Sequence, residues 1–234
     1  MNSLKATAHR AGALYFVFMI LGLIQEFLLP RFMVAGDAAA TARNISAAEP
    51  MYRLGVLTGF VTLVMFIFLV ALLYRLLKEA DRTQAMLMVL LVVVGVAIAL
   101  ANEFFRFAPL VLLSDAGYLS VFSKPQLDAL SLAFLRLHSN GSVFATAFWG
   151  LWLFPFGILV VKSRFFPRIL GILLMVAGSG YVISSVTSIV LPAYGQVVFR
   201  TLMPLYFGEM PIIFWLLIKG AKVPPLQPQP SDAN

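Results

Sequence analysis

MYRLGVLTGFVTLVMFIFLVALLYRLL, residues 51–77, is the stretch that decides the fold. Residues 54–74, between Arg53 and Arg75, carry no charge and no proline, and a helix of about 20 such residues crosses a hydrocarbon core about 30 Å thick. A surface helix of a soluble domain keeps a polar face opposite its apolar stripe, whereas here apolar side chains go all the way round. The run closes on Lys78-Glu79-Ala80-Asp81-Arg82, where charge meets water.

Working outward from this run, the same test of apolar length between charges and prolines marks five more spans. The first is Ala11 to Leu29, closed by Pro30-Arg31; the third is Thr83 to Phe105. The fourth has its apolar part at Gly141 to Val161, but a Ser123-Lys124-Pro125 start, with Ser as N-cap and an early Pro, predicts a helix running unbroken to Lys162. The fifth is Arg168 to Leu191, stopped by Pro192. The sixth is Gln196 to Ile218, with Pro204 and Pro211 inside it. The reading is an all-α integral membrane bundle of six transmembrane helices forming one domain over residues 1–222. Residues 223–234, with Pro224, Pro225, Pro228 and Pro230, read as a disordered Pro-rich tail.

Composition points the same way. The 234 residues are 61% hydrophobic and 12% charged, against roughly 45–50% and about 25% in soluble domains. A soluble domain of this size would have to wear that surplus on its surface. The 17 Lys+Arg against 10 Asp+Glu would suggest nucleic acid in a soluble protein, but these cations sit at the ends of apolar runs, where they set orientation. Nucleic acid is therefore not an expected partner; membrane lipids and a small amphiphile are. With no cysteine, disulfide, thiolate and iron–sulfur chemistry are excluded. Lys162, Arg164 and Arg168 crowd one short connection while Pro192 to Gly195 has no cation, which predicts cytoplasmic termini.

A signal peptide is the alternative for the first span, since Lys5 and Arg10 precede it. Its apolar run exceeds the usual 7–15 residues, however, and the small residues Ala38, Ala39 and Ala40 lie beyond its end. The tract Asp37 to Ala48 reads instead as a short Asp-capped helix on the outer face between spans one and two. Gly55 and Gly59, and the stripe Gly180, Ser184 and Ser188, permit close helix approach. They serve packing within the bundle or, alternatively, a homo-oligomer or ligand face.

Ionisable groups at membrane depth are costly and mark functional candidates. By a rise of about 1.5 Å per residue, Glu26 and Glu103 fall at a similar outer level, with Asn102 and Arg106 beside Glu103. Arg136, His138 and Asn140 enter from the same side on the fourth helix, and Arg53 opens the second. Glu209 is the acidic residue near the middle of its span, two residues before Pro211, where a proline frees a backbone carbonyl and kinks the helix. These positions predict an outward-opening polar pocket floored by Glu209.

His138, Glu103 and Glu209 together would also supply an imidazole and two carboxylates, the raw material of acid–base work. A lipid-modifying enzyme, with or without a metal, is thus the competing reading, and an accessory protein docking through Asp37 to Ala48 is a third. With two histidines, a three-histidine zinc site is impossible because His9 lies in the N-terminal segment; no metal or cofactor is assigned. HExxH, GxSxG, GxxxxGK[ST] and GxGxxG are all absent.

Several segments carry a family likeness. Gly36-Asp37-Ala38-Ala39-Ala40-Thr41-Ala42-Arg43-Asn44-Ile45, Arg53-Leu54-Gly55, Phe166-Pro167-Arg168-Ile169-Leu170-Gly171, Ala177-Gly178-Ser179-Gly180-Tyr181, and Gly208-Glu209 before Trp215-Leu216-Leu217-Ile218-Lys219-Gly220 resemble the bacterial membrane family catalogued as domain of unknown function 4386. The resemblance implies a polytopic helical bundle in a bacterial cytoplasmic (inner) membrane and no activity. It places Asp37, Asn44, Arg53 and Glu209 in matching segments, and it is weakest along the fourth helix. The pocket candidates are therefore Glu209, Arg53, Glu26, Glu103, Arg106, His138, Asn44 and Asp37.

Overall fold

The computed structural model describes residues 2–221, with side chains described from residue 4 onward except at 26–30. The tail after Ala221 and the side chain of Glu26 lie outside the described residues. Among those described there is no strand. The helices are α1 (Asn2–Leu28), α2 (Ala38–Ala47), α3 (Glu49–Leu77), α4 (Arg82–Leu112), α5 (Lys124–Leu151), α6 (Leu153–Ser163), α7 (Arg168–Val190), α8 (Pro192–Tyr206) and α9 (Met210–Ile218). They form six spans long and apolar enough to cross a membrane, α5 with α6 and α8 with α9 each making one.

The six spans follow the charge pattern, and the prolines explain where two of them break. Pro155 has no N–H to give the Leu151 carbonyl, and α5 passes into α6 through a turn at Trp152. The expected unbroken helix is thus interrupted once. Pro211 likewise deprives the Phe207 carbonyl, and residues Phe207–Glu209 form a 3-10 turn between α8 and α9. Pro211 itself sits in the first turn of α9, where a missing N–H costs nothing. The backbone at Gly208 presses against α7: a Cβ there would lie 2.6 Å from the Leu173 carbonyl oxygen.

Other ends differ from the sequence reading: the helix of the first span begins at Asn2, ahead of Ala11, and that of the second at Glu49, ahead of Met51. The third span continues to Leu112, past Arg106 and Pro109, because the Arg106 charge is paired within the bundle and does not need the water that would end the helix. The sixth begins at Pro192, again with proline in a first turn.

Large apolar side chains stay on the outside, as lipid requires. Leu57, Phe60 and Phe68 on α3, Leu90 on α4 and Ile183 on α7 are all at least half exposed. Inside, the core centres on Trp152, which is 2% exposed. It stacks on Phe156 at 5.2 Å, meets Phe66 edge-on at 5.2 Å and leans on Tyr15 at 6.2 Å between ring centroids.

Between spans one and two, α2 is N-capped by Asp37, whose carboxylate accepts from the Ala40 amide at 2.8 Å. It buries Thr41, Ala42 and Ile45 and packs on the first half of α5. At the opposite end, His9 Nδ1 donates to the Leu217 carbonyl at 2.9 Å, so the start of α1 and the end of α9 share one end of the bundle.

That same end holds an ion pair between the α3–α4 turn and the end of α6, with Lys162 Nζ 2.6 Å from Asp81. The lysine bond, with the Gln84 amide of the helix cap, holds the Asp81 carboxyl below its ordinary value of 3.8. A carboxyl depressed in the folded state stabilises above its unfolded value, and that contribution is lost as pH falls through the folded value. The melting temperature of the wild type in maltoside micelles should therefore fall on acidification through the carboxylate range more steeply than that of Asp81→Asn. Parallel pH profiles for the two would remove this role.

Candidate functional site

Between α1, α3, α4 and α5 lies a cavity of about 660 Å³, within the range of about 300–1,000 Å³ usual for small-molecule sites. It has two ends marked by carboxyl groups, joined by mainly apolar and aromatic walls that also carry Thr62, Ser142 and Thr146. Helix periodicity sets its walls. Phe18, Gly22 and Gln25 recur at i, i+4 and i+7 on α1, and Gly59, Thr62, Leu63 and Phe66 share one face of α3.

At one end, Glu103 of α4 gathers the polar groups. Its Oε1 is 3.2 Å from Arg106 Nη1 and 3.3 Å from His138 Nε2. The three side chains are 16%, 14% and 12% exposed. Arg106 also donates to Gln25 Oε1 at 3.5 Å, and Gln25 donates to Thr62 at 3.3 Å, tying α1, α3 and α4 together. Asn102 donates to the His138 carbonyl at 2.9 Å, joining α4 to α5. Gly59 of α3 leaves the space into which the Glu103 carboxyl fits. The second oxygen, Oε2, is buried there without a hydrogen-bond partner.

At the other end is Glu209, presented by the 3-10 turn that Pro211 produces. Its Oε2 accepts from the Tyr15 hydroxyl at 2.7 Å, and Tyr181 lines the same cavity as this carboxyl. Tyr181 is backed by Tyr206, stacked at 4.3 Å with 9° between planes, and the Tyr206 hydroxyl shares a 2.6 Å bond with Ser184. Ser184 and Gly180 of the small-residue stripe thus face α8 inside the bundle.

The predicted site residues therefore divide. Glu209, Glu103, Arg106 and His138 line one cavity. Arg53 instead pairs with Glu49 one turn away at 2.6 Å on the exposed side of α3. Asp37 caps α2, and Asn44 reaches the Phe32 carbonyl at 3.5 Å. Glu26 belongs to α1, outside the described side chains.

His138 and Glu209 do not form one acid–base pair. His138 precedes Trp152 by about 21 Å of helix rise, and Trp152 is the ring beside the tyrosine that binds Glu209. No group of three His, Asp or Glu side chains fit to hold a metal occurs among the described residues. The residues missed in the sequence are Tyr15, Tyr181, Gln25 and Trp149. A tyrosine inside an apolar span carries one signal, that its hydroxyl must find a partner.

The comparisons with known proteins bear on this arrangement as a whole. The family model described as a domain of unknown function, DUF4386, matches residues 10–220, from the first helix to the last. The chain belongs to the DUF4386 family. Within reach of this DUF4386 protein is a relative described as an uncharacterized protein of Archaeoglobus fulgidus, 38% identical over 76 residues. That stretch is 32% of this chain and 44% of the relative, so the match spans less than half of the archaeal protein's length. No solved structure matches.

Proposed function

We propose that this DUF4386 protein binds a small amphiphile or lipid in the cavity between α1, α3, α4 and α5, and that it does so in a bacterial cytoplasmic membrane with the polar Glu103 end facing outward. The observation that supports the reading is the cavity itself, with Glu103, Arg106 and His138 at one end, mainly apolar and aromatic walls, and the single carboxyl of Glu209 at the other end. An amphiphile matches that order of surfaces. The orientation rests on cation placement. Lys78, Arg82, Lys162, Arg164 and Arg168 flank the short connections at the end that also holds both helical termini, and such a bias marks the cytoplasmic side.

Gly22 supplies the test. It lines the cavity, and a Cβ built on it meets nothing within 4 Å. The Cβ of a larger residue therefore enters open space, Gly22→Leu is expected to occupy part of the cavity, and replacing a helical glycine favours the helix by up to about 1 kcal/mol. The readout is fluorescence quenching of Trp149 and Trp152, which line the cavity, in a Trp215→Phe background. The quencher is a nitroxide-labelled lysophosphatidylcholine titrated into micellar protein. Saturable quenching in the parent, lost in Gly22→Leu at unchanged melting temperature, is the expected result. Equal quenching in both proteins would defeat the proposal.

A further inference from the structure

The two polar ends of the cavity differ in how their carboxyls are matched. Glu103 has Arg106 and His138 beside it. Glu209 is met by the Tyr15 hydroxyl, with Tyr181 on the same cavity wall, and it takes no part in the ion pairs formed by the described residues. A carboxylate near the middle of a membrane span is costly without a cation. This one lines the cavity, where a cation held inside would meet it.

The surroundings specify what kind of cation. Phe18, Phe66, Trp149, Trp152 and Tyr181 line the same cavity, and aromatic faces attract cations through the ring quadrupole. The rings are held in place by one another, Phe18 to Phe66 at 4.8 Å and Phe66 to Trp152 at 5.2 Å. A small hydrated metal ion would exchange its water for one carboxyl and a set of rings, a poor donor set. An alkylated ammonium carries its charge on an apolar, weakly hydrated surface and suits both partners.

We propose that the inner end of the cavity binds the head of a hydrophobic organic cation, an amine or quaternary ammonium, with Glu209 as counter-ion and the surrounding rings as its walls. This specifies the ligand class of the amphiphile-binding function argued above and rests on it.

The test is a charge series of one shape: decyltrimethylammonium, its uncharged analogue with carbon in place of nitrogen, and decyl sulfate. Each is titrated calorimetrically into protein in maltoside micelles, and binding to the cavity is taken as the part that Gly22→Leu removes. The cation should bind at least about tenfold more tightly than the other two, a difference of about 1.4 kcal/mol, and Glu209→Gln should abolish the preference. Equal binding across the series, or a preference that survives in Glu209→Gln, overturns the cation site and leaves the amphiphile cavity standing. If none of the three binds in a way that Gly22→Leu removes, both proposals fall. Should Glu209→Gln not fold, the wild-type series decides alone.

Discussion

Glu103→Leu is expected to lower the unfolding free energy of the purified protein by about 3 kcal/mol, and adding Arg106→Leu to it should recover most of that loss. Removing one member of a buried pair leaves the other charge without a counter-ion, which costs about 3–5 kcal/mol, whereas replacing both members by apolar groups is often neutral. The low end applies here because Arg106 and Glu103 keep 14% and 16% of their side-chain surface exposed. Two features keep the loss toward that low end. Glu103 Oε2 is already buried without a partner, so its removal relieves one penalty as it creates another. Arg106 keeps Gln25 as an acceptor, but an amide oxygen does not neutralise a guanidinium. Recovery in the double variant stays incomplete because His138 loses its acceptor on Glu103. Reversible unfolding in mixed micelles over the four-protein cycle gives the coupling directly. A double variant as unstable as the sum of the two singles would show that the residues act independently.

The spans were legible because a membrane imposes a length and a polarity that a soluble core does not. Charges and prolines punctuate residues 51–77 and its neighbours at the spacing a bilayer demands, and the break before Pro211 follows from one missing N–H. Arg106 is where that logic failed. A charge near the end of an apolar run reads as the water boundary, yet this one is paired, and α4 continues to Leu112. Linear spacing cannot distinguish a charge that reaches water from one that reaches a carboxyl on its own helix.

The site was legible in depth and not in direction. Counting residues places Glu103, Arg106 and His138 at one level and Glu209 near mid-span, and these four line the cavity. The same count places Arg53 with them, but level says nothing of azimuth. Tyr52, Gly59, Thr62, Leu63 and Phe66 mark the cavity face of α3, and Arg53 turns away from it to Glu49. Neither Tyr15 nor Tyr181 stands out as a site residue in the sequence, because a tyrosine disturbs an apolar run little. Only the fold reveals that both converge on Glu209 from helices far apart in sequence.

Trp152→Ala is expected to destabilise the protein by about 3 kcal/mol and to weaken binding at Glu209 as well, although Trp152 does not touch that carboxyl through a hydrogen bond. In soluble cores Trp→Ala costs about 3–5 kcal/mol. In lipid the transfer of apolar surface contributes little, since the tails are as apolar as the core, and what is lost is packing. That loss is concentrated here, because Trp152 contacts Phe156, Phe66 and Tyr15 at once. It also sits at the turn between α5 and α6 that Pro155 creates, where backbone hydrogen bonding is already reduced and side-chain contacts must hold the two helices in line. Tyr15 connects this packing to the site: its ring leans on Trp152, and its hydroxyl fixes Glu209 at 2.7 Å. With the indole gone the tyrosine ring gains room to shift, and the carboxyl loses the donor that orients it. Trp152→Phe keeps a ring against Phe66 and should restore most of the binding while recovering only part of the stability. Measuring unfolding and decyltrimethylammonium binding on both variants separates the two effects. If Trp152→Ala lowers stability but binds the cation as tightly as the wild type, Trp152 is a packing residue alone and the link through Tyr15 is wrong.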